Sequence, residues 1–225
     1  MHVGQIREIP LNETTAYLAG VIIGDGYLAD YFKSKNGRSY KVQVQVADSL
    51  FLSTIAKLTR AVVPTKARII ASRLRPNCQQ WWSFSVSDKS WWLFLTRTLG
   101  IPFGKKSRKV SVPELIQTGD VALRRAFIAG LFDADGGFSN KSIGFTTASP
   151  SMSQQLKSLC ISVGFDCTVS SWVLPKYNWK YYRIRFRRHD VDRFLKEIPI
   201  RDERKKEAIK TRFFTRPYRS GLTGQ

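Results

Sequence analysis

Two aspartates, Asp25 and Asp135, occupy the same place in two copies of one short pattern, LAGVIIGDG at 18–26 and IAGLFDADG at 128–136, 110 residues apart. Each pattern is an apolar helical stretch, and a lone aspartate at the end of such a stretch is ordinarily just a solvated residue. Repetition changes that reading. Small residues recur one helical turn apart in both copies, Gly20 with Gly24 and Gly130 with Ala134, so each helix offers a flat strip that lets another backbone approach closely. If the two strips pack together, the helix ends coincide and the two carboxylates emerge side by side. That juxtaposition is costly, because like charges repel and a helix C-terminus itself carries partial negative charge. A divalent cation relieves both effects. Hard Mg²⁺ takes oxygen ligands, typically one or two carboxylates with waters and phosphate oxygens, and metals held this way stabilise the attacking and leaving oxygens of phosphodiester hydrolysis. The chemistry open to the pair is strand cleavage by activated water.

The elements that position the aspartates repeat as well. Asn12 or Thr14 is the candidate N-cap of a helix running to about Gly24. Strands are expected at 27–33 and 39–47, the second alternating as Lys41-Val42-Gln43-Val44-Gln45-Val46 with one apolar and one polar face. A helix opened by Asp48 follows to about 62, then strands at 66–75 and 80–87 and a helix at 88–99. The second half runs in parallel: helix 119–134, strands 137–141 and 143–148, helix 150–163, strands 167–174 and 179–188, helix 190–197, and a basic helix at 202–213. The expected fold is α+β, two pseudo-symmetric αββαββα subdomains packed through the two motif helices, each with a four-stranded antiparallel sheet. Residues 1–100 form the first subdomain, 101–119 a linker with Pro102, Gly104, Pro113 and the run Lys105-Lys106-Ser107-Arg108-Lys109, and 120–225 the second subdomain with its basic tail.

The two motifs and the duplicated element order across about residues 12–200 resemble the LAGLIDADG homing endonucleases. The resemblance implies that Asp25 and Asp135, the eighth residue of each copy, ligate the catalytic metal, with the backbone carbonyls of Gly24 and Ala134 adding ligands. The metal implied is Mg²⁺, with Mn²⁺ or Ca²⁺ able to occupy the same sites. A basic residue near the scissile phosphate, offsetting developing charge, falls on Lys105 or Lys106 in the first half and Lys205 or Lys206 in the second. Several members carry a glutamine near the end of the second strand; this chain has Val46 and Thr147 there, so water positioning passes to Gln45 or Thr147, or is missing. Asp133, opposed by Ile23 in the first copy, is expected to be a local hydrogen-bonding or interface residue. The implied activity is a monomeric, site-specific double-strand DNA endonuclease, intron- or intein-associated, acting on a long, nearly non-palindromic duplex. The rival readings are an RNA maturase assisting splicing and a catalytically inactive, sequence-specific DNA-binding protein. Retention of both aspartates favours the nuclease.

Composition agrees. With 37 Lys+Arg against 17 Asp+Glu, a net charge of +20 and a pI near 10.2, the chain carries a positive field that attracts polyanions. Three scattered cysteines and two histidines exclude a conventional zinc finger. No apolar run reaches the length of a membrane span, which points to a soluble intracellular protein, in prokaryotic cytoplasm or an organelle. The polar sheet faces are the expected DNA surface, since the major groove admits β-ribbons. Lys41, Gln43 and Gln45 face outward on one strand, and Tyr181, Arg183, Arg185 and Arg187 on another, where no acid interrupts the charges. Further candidates are Arg73, Arg75, Ser83 and Ser85 in the first half, and Ser139, Lys141, Thr146, Ser170 and Trp172 in the second. The remaining tryptophans are expected in the core. Residues 176–219 hold sixteen Lys/Arg against six Asp/Glu, enough for sequence-independent phosphate contacts.

Overall fold

The computed structural model describes residues 6–33, 37–72, 79–139 and 142–215. The first helix, α1 (Glu13–Asp25), is opened by Asn12, whose side chain accepts from Thr15 N while Thr15 Oγ1 accepts from Asn12 N. This reciprocal cap satisfies two end groups that the helix cannot bond internally. Every residue from Thr15 to Ile23 is buried, as befits a helix that is apolar on all sides. The chain continues through β1 (Gly26–Lys33), β2 (Gly37–Val46), α2 (Ser49–Val62), β3 (Ile69–Ala71), β4 (Trp82–Val86) and α3 (Lys89–Leu93), which runs on as a π-helical turn over Phe94–Thr98.

After a connector containing α4 (Glu114–Gln117), the second half repeats the plan: α5 (Val121–Asp135), β5 (Gly136–Phe138), β6 (Ile143–Thr147), α6 (Pro150–Ser162), β7 (Cys167–Leu174), β8 (Trp179–Phe186), α7 (Val191–Glu197) and α8 (Glu203–Lys210). The fold is therefore α+β with two antiparallel sheets in matching order, β1-β2-β4-β3 and β5-β6-β8-β7. Valines 42, 44 and 46 are buried, as are Ile184 and Phe186, so the alternation read from sequence assigns the faces correctly.

Two expectations need correction and one is filled in. Among the described residues, the strand expected at 66–75 is formed over Ile69–Ala71. Upstream, the backbone of Ala67 bonds side chains instead of a neighbouring strand: Ala67 N donates to Thr65 Oγ1 and Ala67 O accepts from Arg60. The connector expected at 101–119 packs into the body of the molecule. Ile101, Val110, Val112 and Ile116 are buried, Val112 N donates to Gln155 Oε1 at 3.0 Å, and Ser149 Oγ donates to Val110 O at 2.6 Å. The tryptophans divide: Trp91 and Trp92 are core, but Trp81 and Trp179 are exposed, as is Trp172. Among the described residues no helix is long and apolar enough to cross a membrane.

The two halves meet where α1 lies against α5, the most extensive contact between elements. A Cβ on Gly130 would lie 1.9 Å from Tyr17 O, and one on Gly20 would lie 2.4 Å from Phe127 O, so backbone packs directly on backbone. Gly130→Val is expected to destabilise the fold by at least about 1–3 kcal/mol in urea denaturation. Gly137→Val, with no atom within 4 Å of the added Cβ, is expected to stay within about 0.5 kcal/mol of wild type.

Candidate active site between the motif helices

The close approach carries through to the helix ends. A Cβ on Gly24 would lie 2.6 Å from Ala134 Cβ and 3.3 Å from Asp135 Cγ, so the end of α1 abuts the carboxylate at the end of α5. Asp25 and Asp135 thus close their helices in the same small region, each followed at once by a strand that enters its sheet. Burial pushes Asp25 up to about 6, the negative charge of Asp135 adding to the effect. Burial also raises Asp135, while Lys106 and Lys205 pull it back.

Of the four candidate lysines, one in each half reaches the site. Lys106 Nζ donates to the carbonyls of Ile23 at 2.5 Å and Gly24 at 3.3 Å. Lys205 Nζ donates to the carbonyls of Phe132, Asp133 and Gly136 at 2.8, 2.7 and 2.9 Å. Each lysine caps the C-terminal end of its own half's motif helix, where a cation meets the negative end of the helix dipole. Burial lowers Lys106 to about 8 and lowers Lys205 as well, and the site's acids oppose the shift in both. Lys105 is exposed, and Lys206 turns to Glu203 at 3.6 Å. These two do not join the site.

A divalent cation suits what remains. Among the described residues there is no cluster of three His, Cys, Asp or Glu side chains, so the donors are the two carboxylates and nearby carbonyls. That is a set for Mg²⁺, which keeps waters and phosphate oxygens. Neither lysine forms a salt bridge with either carboxylate among the described residues, which leaves both carboxylates for a cation. The Gly24 carbonyl already accepts from Lys106 and would have to be shared.

Asp133 is buried inside the helix pair, not in the site. Its Oδ2 accepts from Tyr17 Oη at 2.6 Å and from Arg201 N at 2.7 Å, and the Arg201 guanidinium lies 4.9 Å from the Tyr17 ring centre. The carboxylate thus ties α1, α5 and the segment before α8 together. Tyr17 and Arg201 carry no sequence signal for this role, because the contact spans 116 residues on one side.

The sheet positions divide by half. Beside Asp25, a hollow is lined by Tyr27, Gln43, Gln45 and Trp81. Lys41, Ser83 and Ser85 continue that outward face. Tyr27 and Trp81 were not among the expected contacts; Tyr27 stands opposite Gln43 in the register and so shares its face. Beside Asp135, Thr146, Arg183 and Arg185 face a second hollow with Ser139 at its edge, and Trp172 stacks on Tyr181 with Ser170 adjoining Arg183. Arg187 lies past the end of β8 and pairs with Asp166 at 3.1 Å, so the arginine row does meet an acid, supplied by another segment. Thr147 faces the interior side and its Oγ1 accepts from Ser149 N; Gln45 is the exposed one of the two water-positioning candidates. Arg73, Arg75 and Lys141 lie outside the described residues.

Known proteins share this arrangement. Residues 122–199 match the family model described as a LAGLIDADG-like domain. Over 200 residues the chain is 29% identical to the replication factor C small subunit of Methanocaldococcus jannaschii, a match covering 88% of this chain and 10% of that protein. The chain thus spans about a tenth of the length of the curated relative it matches. Among solved structures, I-DmoI in complex with DNA and Ca superposes with a TM-score of 0.65 at 18% identity, covering 88% of this chain and 97% of that one. The homing endonuclease I-WcaI bound to its DNA recognition sequence gives 0.60 at 16%, covering 92% and 88%. Full-length DUF199/WhiA from Thermatoga maritima gives 0.57 at 13%, covering 95% and 63%. The chain has the two-half fold of these homing endonuclease structures, and residues 122–199 of its second half are similar to a LAGLIDADG-like domain.

Asp133→Ala strands the Tyr17 hydroxyl and the Arg201 amide in the interior. It is expected to cost about 1–3 kcal/mol in thermal or chemical denaturation.

Proposed function

We propose that the chain is a site-specific DNA endonuclease that hydrolyses both strands of a long, nearly non-palindromic duplex with a divalent metal, acting as a monomer. The observation that carries this reading is the convergence of Asp25 and Asp135 at the ends of two helices whose last turns abut through Gly24 and Ala134, flanked by two outward sheet faces of DNA-binding composition. Two acids from one chain support a monomer, since a single copy per chain would need a homodimer to assemble the pair. Residues 1–100 and 120–225 would each serve one half-site, with 101–119 joining them. The curated relative is about nine times as long and bears the name of a replication factor, which supports a domain carried within a host gene.

In this reading Asp25 and Asp135, with the Gly24 and Ala134 carbonyls, hold Mg²⁺, and Mn²⁺ or Ca²⁺ can take its place. The bound ion supplies Lewis-acid neutralisation of phosphate charge and a more acidic water. Lys106 and Lys205, held on the carbonyls at the two helix ends, would offset charge as the leaving oxygen forms. Gln45, on the Asp25 side, orients water. The sheet faces place the scissile phosphates over the paired carboxylates, with basic residues outside the site adding salt-sensitive phosphate contacts.

Linear duplex carrying the target, incubated with Mg²⁺, is expected to be cut by wild type. Asp25→Asn or Asp135→Asn is expected to lower cutting by roughly a hundredfold or more while leaving binding in place. EDTA is expected to abolish cutting and Mg²⁺ to restore it. A wild-type chain that binds its duplex but neither nicks nor cuts it in Mg²⁺ returns the protein to the class of non-catalytic binders.

A further inference from the structure

The two sheets share a backbone plan but not a surface. Gly26 pairs with Val44 in the first sheet and Gly136 with Phe145 in the second, which equates Tyr27 with Gly137, Gln43 with Gly144 and Gln45 with Thr146. On the adjoining strand, Ser85 and Ser83 stand opposite Gln43 and Gln45, whereas Arg185 and Arg183 stand opposite Gly144 and Thr146. Beside Asp25 these four matched positions are therefore amide and hydroxyl, with a cation of that face, Lys41, further along β2. Beside Asp135 the face is guanidinium flanking bare glycine.

The glycines leave a hollow of about 220 Å³ whose walls include Asp135, Gly137, Gly144, Arg183 and Arg185. Position 144 takes no side chain, since a Cβ there would lie 1.9 Å from the backbone oxygen of Ile184. Arg183 is held across the face by its guanidinium lying 4.9 Å from the Trp172 ring centre, and Trp172 is itself stacked on Tyr181. Arg187 has Asp166 as its ion-pair partner, but no carboxylate pairs with Arg183 or Arg185 among the described residues. Two guanidinium groups on one strand, ion-paired to no carboxylate among the described residues and beside an open notch, suit an acceptor-rich partner.

We infer that this notch is a guanine-reading subsite, in which Arg183 and Arg185 each take a guanine O6/N7 edge, while Gln43 and Gln45 take adenines in the other half. The inference rests on the DNA-binding reading above and adds which bases each half selects. In the major groove guanine offers two acceptors that match the guanidinium fork, and adenine offers a donor and an acceptor that match a primary amide. The bare glycines let the base edge approach the sheet where a side chain would hold it off. Spacing sharpens the expectation. Alternate residues on a strand lie about 6.6–6.8 Å apart, close to two base-pair steps of about 3.4 Å. The two guanines should then be separated by one base pair on the Asp135 side of the cut, and the two adenines likewise on the Asp25 side.

Selection from a random-sequence duplex library tests this with the full chain, retained DNA being sequenced for wild type, Arg183→Gln, Arg185→Gln and Gln43→Arg. Wild type is expected to enrich two guanines in one half-site by roughly ten- to hundredfold over other bases. Each Arg→Gln variant is expected to lose its own guanine preference and leave the other half-site unchanged, and Gln43→Arg to gain a guanine opposite. Equal guanine enrichment in both halves overturns the inference while the DNA-binding reading stands. So does a uniform loss of affinity in the arginine variants with base preferences intact, the result expected of phosphate clamps. No enrichment of any sequence overturns the DNA-binding reading, and this inference with it.

Discussion

The contact of α1 with α5, backbone against backbone, is the constraint on which the molecule depends. Helices separated by ordinary side chains sit about 8–10 Å apart, and their termini can then drift relative to each other. Here Gly20 and Gly130 remove the side chains at the crossing, and Gly24 lies against Ala134 and Asp135 one turn further on. The approach fixes where the helices end to within the size of an atom. Because each helix passes directly into the first strand of its sheet, the same contact also sets the two sheets relative to the carboxylates.

Such an approach carries an electrostatic cost, and the way it is met bears on function. Two helix C-termini and two carboxylates converge, all of negative sign. Lys106 and Lys205 answer the helix ends directly, donating to carbonyls of the last turn or the residue just beyond it. They do not form ion pairs with the carboxylates. An acid locked to a buried lysine would be a poor metal ligand, since the cation would have to break that pair. Carbonyl capping keeps the ammonium groups beside the site and leaves the carboxylates uncommitted.

Much of this was legible in the sequence, and the missing parts share a cause. The repeated small-residue strip gave the helix pairing, and valines alternating with polar residues gave the faces of β2, because both patterns record what each residue packs against. Local chemistry gave the helix start at Asp48 and narrowed the first to Asn12 or Thr14, of which Asn12 is the cap. What the sequence did not reveal depends on the path of the chain in space. Neighbouring lysines at 105 and 106 are equivalent as letters, and only the turn after the first half's last helix aims one at the Gly24 carbonyl. Trp81 and Trp179 are apolar enough for a core and amphipathic enough for a surface, so type alone could not place them. Asp166 answers Arg187 from outside the strand, beyond any reading of that strand by itself.

The duplicated halves also show which positions are free to differ. Inward residues are bound by packing: Val44 and Phe145 occupy matching places, and both are buried. Asp133 breaks the match with Ile23, but it does so inside the helix pair, where one carboxylate oxygen is spent on Tyr17 and Arg201. That commitment explains why the site presents two acids and not three. Outward residues answer to no such demand, since on a solvent-facing sheet surface most substitutions change stability by less than about 0.5 kcal/mol. Glutamine and serine in one half can thus stand where glycine and arginine stand in the other without disturbing the pairing of the helices. In the proposed endonuclease the buried symmetry would hold the catalytic geometry, while recognition would be written on positions that folding leaves open.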